Sequence, residues 1–215
     1  MLVSDWMSRD LITVTPEMEV REAARLMAEK GIRRLPVVKG NELLGFITIG
    51  DIREAGPAGS TSVIDWDARE EAGSQSVGRI MSTQPVNIGP DAPLEDAAEL
   101  MRKHKVGSLP VVRDGKMLVG IITQADMMRA LEILLGRGNT GTRLSLRLKG
   151  QDSLTKALVI LRDHGLQLQG LVLSPTPKSS DTRRLATLRV DGEVTGAVTD
   201  ALLAADCDIV DVRKA

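Results

Sequence analysis

The chain has 215 residues, enough for one or two domains with a sizeable core, and 42% of them are hydrophobic. Its 28 Lys and Arg and 29 Asp and Glu are interspersed, for a formal charge of −1, which argues against a nucleic-acid partner because phosphate-backbone affinity rests on clustered cations. The aromatics are Trp6, Phe46 and Trp66 with no Tyr, too few for a base-stacking platform.

In chain order, each repeat is expected to open with a strand ahead of its first helix. Val20, Ala23, Ala24 and Met27 then fall at i, i+3, i+4 and i+7, the apolar face of a helix. Residues 35–38 and 43–49 are apolar, β-branched runs either side of Lys39-Gly40-Asn41-Glu42, so a hairpin is expected, with a closing helix from near Asp51. Residues 56–76, rich in Gly, Ser, Ala and acids around Val63, Ile64 and Trp66, read as a connector, and Trp66 as a packing plug or a ligand contact. The same order returns with an opening strand and a helix on Leu94, Ala97, Ala98 and Met101. A hairpin around Arg113-Asp114-Gly115-Lys116 follows, and a helix from near Asp126 to Leu135. An aspartate in a first helical turn favours the helix dipole, so Asp51 and Asp126 read first as capping residues.

Beyond the linker at 136–141 the grammar changes. Residues 144–148 alternate, 154–161 have helical spacing, 166–173 are strand-like, 175–181 form a polar loop, 185–190 are strand-like, 194–204 are helical and 209–212 close as a strand. The order β-α-β-β-α-β predicts a ferredoxin-like sandwich with two helices on one face of an antiparallel sheet. The sole cysteine, Cys207, lies in an apolar stretch and is expected as a buried structural thiol. The segments are thus 1–56, 57–76, 77–135, 136–141 and 142–215.

The first and third segments repeat each other. Met7-Ser8, Thr15-Pro16, Glu22-Ala23-Ala24, Met27, Leu35-Pro36-Val37-Val38, Gly45, Thr48 and Asp51 reappear as Met81-Ser82, Gly89-Pro90, Asp96-Ala97-Ala98, Met101, Leu109-Pro110-Val111-Val112, Gly120, Thr123 and Asp126. The offset grows by one residue in the turn before Gly120, where a loop tolerates the change. Two such units pack as a pseudo-twofold pair with matched clefts. Each resembles a CBS domain, and the tandem, over residues 3–135, resembles a Bateman module. The tail resembles an ACT domain, and this order, with Gly141-Thr142-Arg143-Leu144 after the last repeat helix, is similar to the bacterial acetoin-utilisation accessory family. The fold class expected is α+β.

The resemblance implies an adenosine-containing ligand, with AMP, ADP or ATP foremost, in the clefts between the repeats. Thr48 with Asp51 and Thr123 with Asp126 match the positions that take ribose or phosphate. A carboxylate can accept from both vicinal ribose hydroxyls, and a threonine hydroxyl adds a donor. Ile12, Thr13 and Val14, and Val86 and Ile88, match the adenine-lining segments, next to Pro36 and Pro110. Arg33 and Arg34 stand where the family places phosphate-binding cations, whereas the second repeat has Gly107 and Ser108. The phosphate site is therefore expected at Asp51, the alternative being that Arg33 and Arg34 are solvated surface residues. The other cleft takes a nucleoside-like ligand, uses Lys103, His104 or Lys105, or stays empty. In the tail, Gly150, Gln151, Asp152 and Ser153 match the effector loop but lack its Asp-x-Pro-Gly turn, so sheet-edge dimerisation is the better-supported role.

Catalysis has little support. His104 and His164 have no metal-ligand companions, and no Walker lysine loop or Rossmann glycine fingerprint is present. Asp206, Asp208 and Asp211 suggest a metal cluster, but Asp208 and Asp211 have opposite parity on a strand and are expected on opposite faces. No metal or required cofactor is expected. No apolar run approaches the ~20 residues of a membrane span and no charged-then-apolar leader opens the chain, so a cytoplasmic location is expected. The function expected is a free-standing regulator that senses an adenosine nucleotide, assembles as a homodimer or higher homo-oligomer, and acts on an unidentified protein. The alternatives are a constitutive scaffold with vestigial clefts and a sensor of S-adenosylmethionine or a dinucleotide.

Overall fold

The computed structural model describes residues 1–55, 75–136, 138, 140–175 and 184–214. The connector with Trp66, and most of the polar loop at 175–181, lie outside the described residues. After a short helix α1 (Val3–Trp6), the apolar stripe of Val20, Ala23, Ala24 and Met27 is buried along α2 (Val20–Lys30), which Gly31 ends in the left-handed conformation at φ 63°. Strands β1 (Arg34–Lys39) and β2 (Glu42–Thr48) pair antiparallel and run directly into α3 (Ile49–Ala55). The second repeat gives α4 (Val77–Ile80), α5 (Leu94–His104), β3 (Ser108–Arg113), β4 (Met117–Thr123) and α6 (Gln124–Leu134).

The hairpins are near copies. Their registers slip at the same place, between Val37 and Val38 and between Val111 and Val112. The length difference falls in the turns: Lys39 pairs with Glu42, Arg113 with Met117. The expected opening strands shrink to single parallel bridges, Val14 to Val37 and Ile88 to Val111. Prolines explain this. Extending either bridge one step needs an amide from Pro16 or Pro36 in the first repeat and from Pro90 or Pro110 in the second, and proline has none.

The opening arms are exchanged between repeats. Ser8 pairs with Ile121 of the second repeat and Ser82 with Phe46 of the first, each through reciprocal backbone bonds of 2.9–3.0 Å. Gly45 and Gly120 admit the arms: a Cβ on Gly45 would lie 2.6 Å from both Met81 Sδ and Ser82 O, and one on Gly120 would meet Met7. The hairpins join into one four-stranded sheet of order β1-β2-β4-β3, linked where Glu42 faces Met117.

The chain divides into two compact units, Met1–Met127 and Met128–Ala215, with the division inside α6. The second holds β5 (Thr142–Leu148), α7 (Ser153–Asp163), β6 (Leu168–Pro175), β7 (Arg184–Val190), α8 (Gly196–Ala204) and β8 (Cys207–Lys214), its antiparallel sheet ordered β6-β7-β5-β8. Leu144, Leu146 and Leu148 of β5 and Ala186, Leu188 and Val190 of β7 point into a core closed by Ala157 and Leu161 of α7 and Val198 and Leu202 of α8. Cys207 is fully buried there, as expected.

One expectation is overturned in β8. Leu146 faces Ile209 but Ser145 faces Asp211, so Val210 is an extra residue that resets the alternation. Asp208, opposite Arg147, and Asp211, opposite Ser145, therefore share one face. Asp211 pairs with Arg143 and Arg213 at 3.0 and 2.9 Å, and Asp208 with Lys149 at 2.6 Å. No group of three or more potential metal-ligating side chains occurs among the described residues.

Candidate functional site

The repeated Thr-x-x-Asp motif sits at a strand-to-helix junction in both repeats. Asp51 Oδ2 accepts from Thr48 N at 2.7 Å and from Thr48 Oγ1 at 2.8 Å, while Asp51 N donates to Thr48 Oγ1 at 3.3 Å. Thr123 and Asp126 repeat this at 2.9, 2.7 and 3.3 Å. This is the reciprocal capping box, with aspartate in the acidic position. The threonine hydrogens are therefore committed to the cap. A ligand would meet Asp51 through its other carboxylate oxygen.

A cavity of about 550 Å³ lies between the repeats. Leu11, Ile12, Ile32 and Ile121 supply apolar wall, Ser8, Asp10, Thr123 and Gln124 supply polar groups, and Arg33 and Arg34 supply charge. The cavity joins Arg33 and Arg34 to the Thr123 end of the second repeat, and Asp51 is not in its wall. The sequence expectation paired these arginines with Asp51. Backbone pairing does set Arg34 beside Thr48, but its side chain crosses to the other repeat, where Nη1 donates to Ser108 Oγ at 2.8 Å.

Arg34 is half-buried, and its pKa is lowered from the ordinary arginine value, first by burial and then by the charge of Arg33. Among the described residues neither arginine forms an ion pair with a carboxylate. A buried cation without a counter-ion is costly, so an anion entering here would relieve both effects.

Of the other expected residues, Val14 and Ile88 are 2% and 6% exposed and make the single bridges, accepted by Pro36 O and Pro110 O. Thr13 and Val86 are outside the cavity wall, and Thr48 is in the other junction. Asp126 braces Thr123 from behind. Asp10 and Gln124 were missed by sequence reasoning; their only signal is adjacency to the repeated Met-Ser and Thr-x-x-Asp motifs. His104 and His164 are exposed.

In the second unit a cavity of about 490 Å³ is lined by Leu148, Lys149, Gly150, Gln151, Leu154, Leu173 and Arg184. Asp152 and Ser153 are outside its wall. Ser153 Oγ accepts from Gly150 N at 2.9 Å and donates to Asp206 O at 3.3 Å, which latches the loop. No helix among the described residues is long and apolar enough to cross a membrane.

Known proteins resemble the repeat pair in sequence and in fold. The chain is 38% identical over 119 residues to inosine-5'-monophosphate dehydrogenase of Korarchaeum cryptofilum, a match of 55% of this chain but only 22% of that enzyme. A putative acetoin utilization protein (AcuB) from Vibrio cholerae is 31% identical, with a TM-score of 0.53 over 63% of this chain and 93% of that one. CBSX2, solved in complex with AMP, is 30% identical, with a TM-score of 0.52 over 61% of this chain and 97% of that one. The CBS domain matches residues 3–58 and again 77–133, together more than half of the sequence, and the chain belongs to the CBS domain family as a tandem pair.

Proposed function

We propose that the first unit binds an adenosine nucleotide of the AMP, ADP or ATP type between its repeats, and that the protein is regulatory rather than catalytic. The observation that carries this is the inter-repeat cavity: an apolar wall suited to a purine, beside two arginines with no carboxylate partner among the described residues. Charge-assisted bonds from a guanidinium to phosphate are among the stronger polar contacts. The AMP complex of CBSX2 supports the choice of ligand class. Nucleotide bridging both repeats favours one inter-repeat arrangement, provided it binds that arrangement more tightly.

The second unit, on this proposal, is an ACT-type assembly module that pairs two chains through a sheet edge. Its strand order supports the assignment, as do the exposed apolar residues Val210 and Val212 on β8 and Leu168 and Leu173 on β6, the two edges. The likeness to the AcuB structure spans 63% of this chain and supports a regulatory role for the repeat pair, with the regulated partner to be found.

A constitutive scaffold is the second reading, favoured by the commitment of both threonine hydroxyls to helix caps. Thermal unfolding of nucleotide-stripped protein separates the two. At 100 times its dissociation constant a ligand adds about 2.7 kcal/mol, several degrees in midpoint. A shift with AMP, ADP or ATP that Arg34→Ala reduces supports the sensor; no shift with any adenosine compound leaves the scaffold.

A further inference from the structure

Two adjacent positions make the cleft chemistry one-sided. Gly107 and Ser108 are the counterparts of Arg33 and Arg34, and the first repeat's arginine rests on them. Arg34 Nη1 donates to Ser108 Oγ at 2.8 Å, and Ser108 is only 4% exposed. Gly107 lies beneath the same guanidinium: a Cβ there would stand 3.0 Å from Arg34 Nη2 and 3.5 Å from both Nη1 and Gln124 Oε1. A Cβ there would need the guanidinium to give by a few tenths of an ångström, and a longer side chain would need more.

The chemistry of the seat matters as much as its shape. A hydroxyl accepts one of the five guanidinium N–H groups without cancelling the charge, so the other donors and the full positive charge stay available on a side chain that lines the cavity. A carboxylate at position 108 would hold the arginine equally well and neutralise it. An arginine at 107 or 108 would repel it.

We propose that Ser108, with Gly107 beneath, is a positioning residue that presents the Arg34 guanidinium to the phosphate of a bound nucleotide, and that the chain consequently has one phosphate-binding cleft rather than two equivalent ones. The proposal rests on the nucleotide reading of the cavity. It also assigns a function to the dipeptide that stands, in the sequence, where the first repeat has its two arginines.

Calorimetric titration of the full chain with AMP and, separately, with adenosine tests this. AMP is expected to bind at one site per chain. Ser108→Ala should weaken AMP about tenfold, the low end for a hydrogen bond to a charged group, with adenosine unchanged. Ser108→Asp should weaken AMP further and again spare adenosine. In an Arg34→Ala background Ser108→Ala should have no further effect on AMP, which a general loss of folding would not reproduce. Equal weakening of AMP and adenosine, an undiminished effect of Ser108→Ala without Arg34, or two equivalent AMP sites would overturn the role of Ser108 while leaving nucleotide binding intact. A wild-type chain that binds neither AMP nor adenosine would overturn the nucleotide reading itself and the positioning role with it.

Discussion

The two repeats have the same hairpin slip, the same glycine admitting a methionine, and the same Thr-Asp cap with bond lengths matching within 0.2 Å, yet one carries Arg33-Arg34 where the other carries Gly107-Ser108. The features that agree are those that hold the backbone. Of the pair that differs, Arg33, Arg34 and Gly107 line the cavity, and Ser108 holds Arg34. Duplication therefore preserves what closes the fold and leaves the cleft free to diverge, and a long arginine reaching across the pseudo-twofold turns a symmetric scaffold into an asymmetric site.

The largest test of that contrast is Arg34→Ala, which should weaken AMP by about 10- to 100-fold, corresponding to ~1.5–3 kcal/mol for a charge-assisted contact, measured by calorimetry. Asp51→Ala, at the junction outside the cavity wall, should leave AMP affinity within about threefold. Next are the shared features, where the repeats should respond alike. Gly45→Ala and Gly120→Ala each drive a methyl into an exchanged arm and should cost about 1–3 kcal/mol in denaturant unfolding. Thr48→Ala and Thr123→Ala remove equivalent caps and should each cost about 0.5–2 kcal/mol. The smallest effect is in the second unit. Burial, then Asp206, push the Cys207 thiol up, so alkylation of native protein should be slow at pH 8 and fast after unfolding. Because the folded pKa is above the unfolded one, the unfolded chain loses this proton first as pH rises. The stabilisation is complete below roughly pH 8.5 and declines above it.

Much of this was legible in the sequence. Apolar spacing of 3.6 marked α2, whose buried residues are those expected, and α5, where Leu94, Ala97 and Met101 are buried but Ala98 is exposed, and it located α7; the hairpins followed from β-branched runs around Gly-containing turns. The opening strand expected in each repeat is reduced to a single bridge because Pro36 and Pro110 lack the amides that a longer pairing would need. The parity of Asp208 and Asp211 failed because a bulge at Val210 is invisible to strict alternation. In the cavity, the arginine dipeptide was visible in the sequence but the path of its side chain was not. Which repeat Arg34 serves depends on a side chain crossing the pseudo-twofold, and local periodicity carries no record of that path.

Equilibrium dialysis of labelled AMP against wild type, Arg34→Ala, Asp126→Asn and Asp51→Asn tests the central claim most directly, that the arginines of the first repeat serve the Thr123 junction of the second. The account predicts binding by wild type and Asp51→Asn and much weaker binding by Arg34→Ala and Asp126→Asn. Full binding by Arg34→Ala, together with its loss in Asp51→Asn, would contradict it.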